Sequence, residues 1–181
     1  MKKLLCVVSL AVLLSFTFGC QNKAEKAELE KFRTQAKVEE QNKALMLRAI
    51  EEWNRGSNDF FMDNAVPDYA YYSPSGKPKP MSREETDQNI KTLWKAFPDL
   101  RFTIEEVVAE GDKLTARFSF TGTHQGEFMG IPATGNRIEV SGLIISLIKN
   151  GKFVEDREET DILGMMMQLG MELKPKEAEK K

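Results

Sequence analysis

One stretch, from Thr121 to Asp161, does most to limit what this chain can fold into: TGTHQGEFMGIPATGNRIEVSGLIISLIKNGKFVEDREETD. A strand ends there in the only histidine, His124, and a Gly/Pro loop follows. Ile138 to Ile148 then reads as a strand whose centre, GLIISLI, is apolar on both faces. Such a strand is central in its sheet and covered on each side, either by helices or by a partner subunit. Asn150-Gly151 supplies the two left-handed positions of a two-residue hairpin, so Lys152 to Glu159 returns antiparallel beside its predecessor. The pattern predicts a curved antiparallel sheet with polar groups pointing into a cavity.

Before this stretch the period is helical. Leu45, Ala49 and Trp53 recur every four residues with Met46 and Ile50 beside them, and Gly56 ends the run. Tyr69 to Tyr72 reads as a short strand stopped by Ser73-Pro74. Ser82 and Glu85 form a capping box, after which Ile90, Leu93, Trp94 and Phe97 keep helical spacing until Pro98. From Phe102 the period shifts to two, and a Gly111-Asp112 turn joins that strand to one carrying Leu114, Ala116, Phe118 and Phe120 on a single face. Asp161 caps a last helix containing Met165, Met166 and Leu169. Helices first, then long antiparallel strands, then a short helix give an α+β domain in which N-terminal helices wrap a curved sheet.

The ends read differently. Lys2 and Lys3 precede an uncharged run from Leu4 to Phe18 and then Gly19-Cys20, which fits a secretory signal over residues 1–19, the alternative being an uncleaved membrane anchor. The Gly-Cys end is similar to the bacterial lipoprotein box, with Cys20 as the lipidated first residue, which implies an exported protein held at a membrane. Residues 20–42 are rich in Lys, Glu, Ala and Gln and form a helical or disordered spacer; the globular domain occupies 43–172, and 173–181 is a disordered tail. Cys6 and Cys20 are the only cysteines, so a mature domain contains no thiol for catalysis or metal binding, and a single histidine excludes a multi-histidine zinc site. The formal charge is −2, about −4 once Lys2 and Lys3 are removed. No basic patch accompanies it, which argues against nucleic acid.

The last strand poses the functional question. Asp156 and Glu158 are two residues apart and share one face of a strand, about 7 Å apart along it. Inside an apolar cavity they would repel one another and lose hydration, raising at least one pKa as a general base requires. Alternatively Glu155, Asp156, Glu158, Glu159 and Asp161 are a solvated acidic edge paired with Arg157. Periodicity leaves both readings open, because each face of the strand carries acids. His124 is a candidate proton shuttle or carbonyl binder, or else an ordinary loop hydrogen-bonder. Trp53, Trp94 and Phe118 are core residues in the first place and candidate pocket lining in the second.

The segments FPDLRFTIEEVVAEGDKLTARFSFTGTHQGEFMGIPATGNRIEVSG and GKFVEDREETDILGMMMQLG, with EEWNRG and VPDYAYYSP before them, resemble the SnoaL-like polyketide cyclase (ester cyclase) family. That family belongs to the NTF2-like superfamily of α+β cones. The resemblance covers about Val38 to Gly170. It implies a metal-free and cofactor-free enzyme that closes a ring by intramolecular aldol condensation of a polyketide ester, and a homodimer. The family's acid/base carboxylate matches Glu158, and its histidine ahead of the GIPATG loop matches His124. Three positions depart from the family: its histidine two residues before the carboxylate is Asp156, its cavity histidine is Ile144, and an asparagine at the cavity mouth is Tyr71. The catalytic set this implies is Glu158, Asp156 and His124, with Tyr71, Ile144, Trp53, Trp94 and Phe118 against a small apolar carbonyl compound. The rival expectation is a non-catalytic, lipid-anchored binding module for an apolar ligand or a partner protein.

Overall fold

The structure is a computed structural model that describes residues 2–73 and 79–174, with residues 2–22 described by backbone alone. The apolar leader, Cys20, the Pro74 turn and the end of the acidic-basic tail therefore lie outside the described side chains. Among the described residues no helix is long and apolar enough to cross a membrane. The chain divides into two units, Met1–Val38 and Glu39–Lys181. The first unit is helical throughout its described backbone, and its side chains from Lys23 to Lys37 are exposed, Leu29 and Phe32 included.

Helix α1 spans Lys2–Trp53, and its C-terminal turns belong to the second unit. There follow α2 (Asp59–Asn64), β1 (Ala65–Tyr72), β2 (Met81–Ser82), α3 (Arg83–Ala96), β3 (Arg101–Glu110), β4 (Lys113–Thr123), β5 (Arg137–Lys149), β6 (Lys152–Thr160) and α4 (Ile162–Gln168). The strands form one curved sheet in the order β2-β1-β6-β5-β4-β3. Four of its five pairings are antiparallel, but β1 lies parallel to β6. The expectation of a wholly antiparallel sheet misses this pairing, because β1 is joined to β6 only through the rest of the domain and no turn signal links them.

Local chemistry explains most boundaries. Ser82 accepts from the Glu85 backbone N–H while the Glu85 carboxylate accepts from Ser82 N–H at 2.7 Å, closing the capping box at the start of α3. Asp161 accepts from Gly164 N–H at 2.8 Å and starts α4. Asn150 and Gly151 both have positive φ, 52° and 70°, which is the geometry that lets β5 turn directly into β6.

Alternation then sorts the side chains. On β4 and β5 the residues Leu114, Ala116, Phe118, Phe120, Ile138, Val140 and Ile148 are buried on the concave face. Met46 and Ala49 of α1 and Phe61 of α2 pack against that face with Phe153, and a second cluster gathers Phe97, Leu100, Met165 and Leu169. The outer face of β5 is open in this chain: Leu143 is 52% and Ile145 49% exposed.

Gly142 shows how tightly the sheet is filled. A Cβ there would lie 2.5 Å from Phe118 Cζ and 2.8 Å from the Glu159 carbonyl oxygen. The ring could turn, whereas the backbone oxygen belongs to the β5–β6 ladder and cannot. Gly142→Ala is expected to destabilise the domain by about 1–3 kcal/mol, the usual range for overpacking. Urea unfolding measures this, and an unchanged midpoint would refute the close packing described.

Candidate active site

The parity of β6 is set by an irregularity in its pairing with β5. The register shifts between Leu147 and Ile148, so that Ile148 faces Phe153 while Ser146 faces Asp156. A bulge of this kind inserts one unpaired residue and turns the following side chains over. Phe153 and Asp156, three apart in sequence, are consequently both buried on the concave side. Glu158 follows Asp156 on that side, while Glu155 pairs with the exposed Arg157 at 2.7 Å. The acidic strand is thus divided, two carboxylates inward and the remainder outward.

Parallel β1 completes the cluster. Tyr71 is level with Asp156 in the ladder, and Tyr69 and Tyr71 share a face. The Tyr69 hydroxyl donates to Asp156 Oδ2 at 2.7 Å, and the Tyr71 hydroxyl is the hydrogen-bonding neighbour of Glu158. Thr160 Oγ1 donates to Glu158 Oε1. Two carboxyls therefore stand two residues apart on β6, each beside a tyrosine hydroxyl from the adjacent β1.

The walls around them are apolar. A cavity of about 40 Å³ is lined by Met46, Ala49, Ile50 and Trp53 of α1, by Phe61, by Phe102, Ile104, Phe118, Ile144 and Phe153, and by Asp156 and Glu158. It has room for roughly three waters. Trp53 is tilted against Phe102 and Phe61, at interplanar angles of 59° and 60° with ring centroids 5.5 and 6.1 Å away.

Burial dominates the electrostatics. Loss of hydration pushes Asp156 from the ordinary 3.8 up to about 6, opposed by the Ser146 and Tyr69 hydroxyls. Of these two, Tyr69 carries the stabilisation, since Ser146 Oγ and Asp156 Oδ1 are buried without a partner at full hydrogen-bonding geometry. Glu158 is half-buried by accessible surface yet enclosed by protein atoms, as a cavity-lining side chain is. Desolvation raises its pKa, the Thr160 and Tyr71 hydroxyls work against that rise, and the Asp156 and Glu159 charges add to it. Both tyrosines are raised, by desolvation first and then by the neighbouring carboxylates, so they remain donors at neutral pH.

The structure brings Glu158, Asp156, Tyr71, Ile144, Trp53 and Phe118 together. It places His124 and Trp94 elsewhere. His124 is fully buried at the end of β4, stacked on Phe97 at 5.2 Å, with Nδ1 3.1 Å from Thr134 Oγ1 and 3.3 Å from the Thr134 N–H that donates to it. Its backbone also holds Gly135 and Asn136, so it pins the Gly/Pro loop to the sheet. Trp94 lines a separate outer pocket. Tyr69 and Ser146 are members of the cluster that sequence reasoning did not single out; the period of two along YAYY already carries Tyr69 with Tyr71. Among the described residues no group of three or more His, Cys, Asp or Glu side chains is arranged to hold a metal ion.

Comparisons with known proteins bear on the family and the fold. The family model for SnoaL-like polyketide cyclase matches residues 43–169. The aklanonic acid methyl ester cyclase of Streptomyces sp. (strain C5) is 28% identical over 131 residues, 70% of this chain and 80% of that protein. Among solved structures, TsrD from Streptomyces laurentii superposes with a TM-score of 0.64 at 32% identity over 72% of this chain and 95% of its own. A SnoaL-like polyketide cyclase from Agrobacterium tumefaciens shares the fold at 20% identity, with a TM-score of 0.60 over 71% of this chain and 98% of its own.

Asp156 makes stability depend on pH. Between about 4 and 6 the folded state keeps a proton that the unfolded chain has released, so stability falls as pH rises through that window and then levels. The full change is roughly 3 kcal/mol. Urea unfolding across this range should show the fall in the natural chain and a flatter profile in Asp156→Asn; parallel profiles would remove Asp156 from the buried titrating set.

Proposed function

The chain belongs to the SnoaL-like polyketide cyclase family, and on that premise we propose that it is a cofactor-independent enzyme performing acid/base chemistry next to a carbonyl of a small, largely apolar substrate. The observation that carries this reading is the pair of inward carboxyls, Asp156 and Glu158, each supported by a tyrosine hydroxyl against apolar walls.

Glu158, as the carboxylate, takes the proton from the carbon beside the carbonyl; the C–H bonding pair becomes the enolate. Asp156 is held partly protonated near neutrality by burial and donates a hydrogen bond to the developing enolate oxygen. In a ring closure the enolate carbon then forms the new C–C bond to a second carbonyl carbon within the same molecule, and the resulting alkoxide recovers the proton from Glu158. Tyr69 positions Asp156, and Tyr71 and Thr160 orient Glu158. Ile144, Trp53 and Phe118 exclude water and shape the folded substrate.

Two observations favour the second reading, a lipid-anchored binding module. The enclosed volume is small for a polycyclic substrate, and Gly19-Cys20 behind an apolar run suits an exported lipoprotein. The experiment that separates the two readings is α-proton exchange into deuterated water, followed by NMR with a β-keto ester as probe. Glu158→Gln should slow exchange by about 10² to 10⁴, the usual contribution of a general base, while binding of the probe is retained. Equal exchange rates in the two proteins would hand the site to the binding module.

The uncovered β5 face supports a homodimer in which a second copy buries Leu143 and Ile145. Light scattering should give twice the chain mass for the natural protein and the single mass for Leu143→Glu. A monomeric natural chain would reject this arrangement.

A further inference from the structure

Trp53 belongs to two spaces at once. One side of its indole closes the carboxylate cavity, and the residue also lines an outer pocket of about 270 Å³. That pocket is built from the end of α1 and the turn into β3: Asn54, Arg55 and Gly56 on one side, Trp94, Asp99 and Arg101 on the other. It is several times roomier than the cavity behind the indole.

The wall between them is held in place. Trp53 Nε1 donates to Asn58 Oδ1; Asn58 Nδ2 donates to Asp87 Oδ1 at 2.9 Å; Lys91 Nζ donates to Asp87 Oδ2 at 2.6 Å. Asn58 and Asp87 are buried, so the chain of bonds fixes the indole against α3. Asn54 is fixed as well, exchanging two hydrogen bonds of 2.8 Å with the Phe102 backbone. A pocket made of held groups loses little conformational freedom when it is filled.

Its lining has a distinct chemistry. Both tryptophans of the chain are there, offering flat apolar surface. Two guanidiniums accompany them. Arg55 is committed to Glu52 at 2.8 Å and to Glu51 at 4.0 Å. Arg101 donates to the Asn54 carbonyl and has no carboxylate partner within ion-pair distance among the described residues. The one acid in the lining, Asp99, has its oxygens occupied by the Thr123 N–H at 2.6 Å and the Thr123 hydroxyl at 2.8 Å. A guanidinium beside two indoles suits a flat ring that carries a carboxylate.

We propose that this outer pocket is a docking subsite for a planar, ring-bearing carboxylate, with the ring against the indoles of Trp53 and Trp94 and the carboxylate on Arg101. It extends the acid/base reading of the cavity behind Trp53 and rests on that reading for its connection to catalysis, though not for binding itself.

Because the only two tryptophans line the pocket, their fluorescence reports occupancy directly. The full chain is titrated with 2-naphthoate and with its neutral isostere 2-naphthamide. Saturable quenching by both is expected, with naphthoate bound about tenfold more tightly. Arg101→Gln should erase that preference while leaving the naphthamide affinity intact, which also shows that the variant is folded. Glu158→Gln should leave both affinities unchanged whatever it does to proton exchange, so failure of the catalytic reading is recorded separately. Absence of saturation, equal affinities in the natural chain, a preference that survives in Arg101→Gln, or a naphthoate affinity that changes in Glu158→Gln would each overturn the proposal.

Discussion

The β5–β6 ladder carries one irregularity on which the site depends. Strict alternation from Phe153 would send Asp156 and Glu158 to the outer face and turn Glu155, Arg157 and Glu159 onto the concave side. The register shift at Leu147/Ile148 lets a core phenylalanine and two carboxyls occupy the same side of one short strand. Everything chemical follows from that parity, because the concave side is where α1, α2 and the rings of β3 and β4 exclude water.

Exclusion of water has a price in free energy, and the neighbouring hydroxyls reduce it. Asp156 and Glu158 are desolvated by the same aromatic walls that would confine a ligand, and the supporting donors come from two different strands, Tyr69 and Tyr71 from β1 and Thr160 from β6 itself. Neither carboxyl is fully compensated. Incomplete compensation keeps both above the ordinary carboxylate range, where a group can take up and release a proton at working pH. The parallel placement of β1 is therefore a functional feature: it sets Tyr71 level with Asp156, so that Tyr69 reaches Asp156 and Tyr71 reaches Glu158.

Relations between adjacent residues were legible in the sequence. The capping box at Ser82 and Glu85, the Asn150-Gly151 hairpin, the Gly111-Asp112 turn and the alternating face of Leu114 to Phe120 are each decided within a few residues, and each is present. The short β2, the β1–β6 pairing and the network from Trp53 through Asn58 to Asp87 were not legible, since each joins residues far apart with no local signal. His124 and Trp94 lie apart from the two inward carboxylates. His124 spends its ring on Phe97 and Thr134, and Trp94 faces the outer pocket, because the strand end and the helix face that carry them are turned away from the cavity.

By itself the sequence determined the element order, the hairpins and the presence of acids on the last strand, since propensity, capping and turn geometry act over a few residues along the chain. The direction those acids face was beyond it, because Asp and Glu occupy both parities of β6 and a strand's parity can be reset by one unpaired residue. Only the tertiary structure decided that Asp156 and Glu158 point inward and Glu155 and Glu159 do not. The physical reason lies in the ladder: Ile148 and Phe153 pair on the core side beneath α1, and the register shift just beyond that pair brings Asp156 opposite Ser146 and so turns Asp156 and Glu158 to the same side.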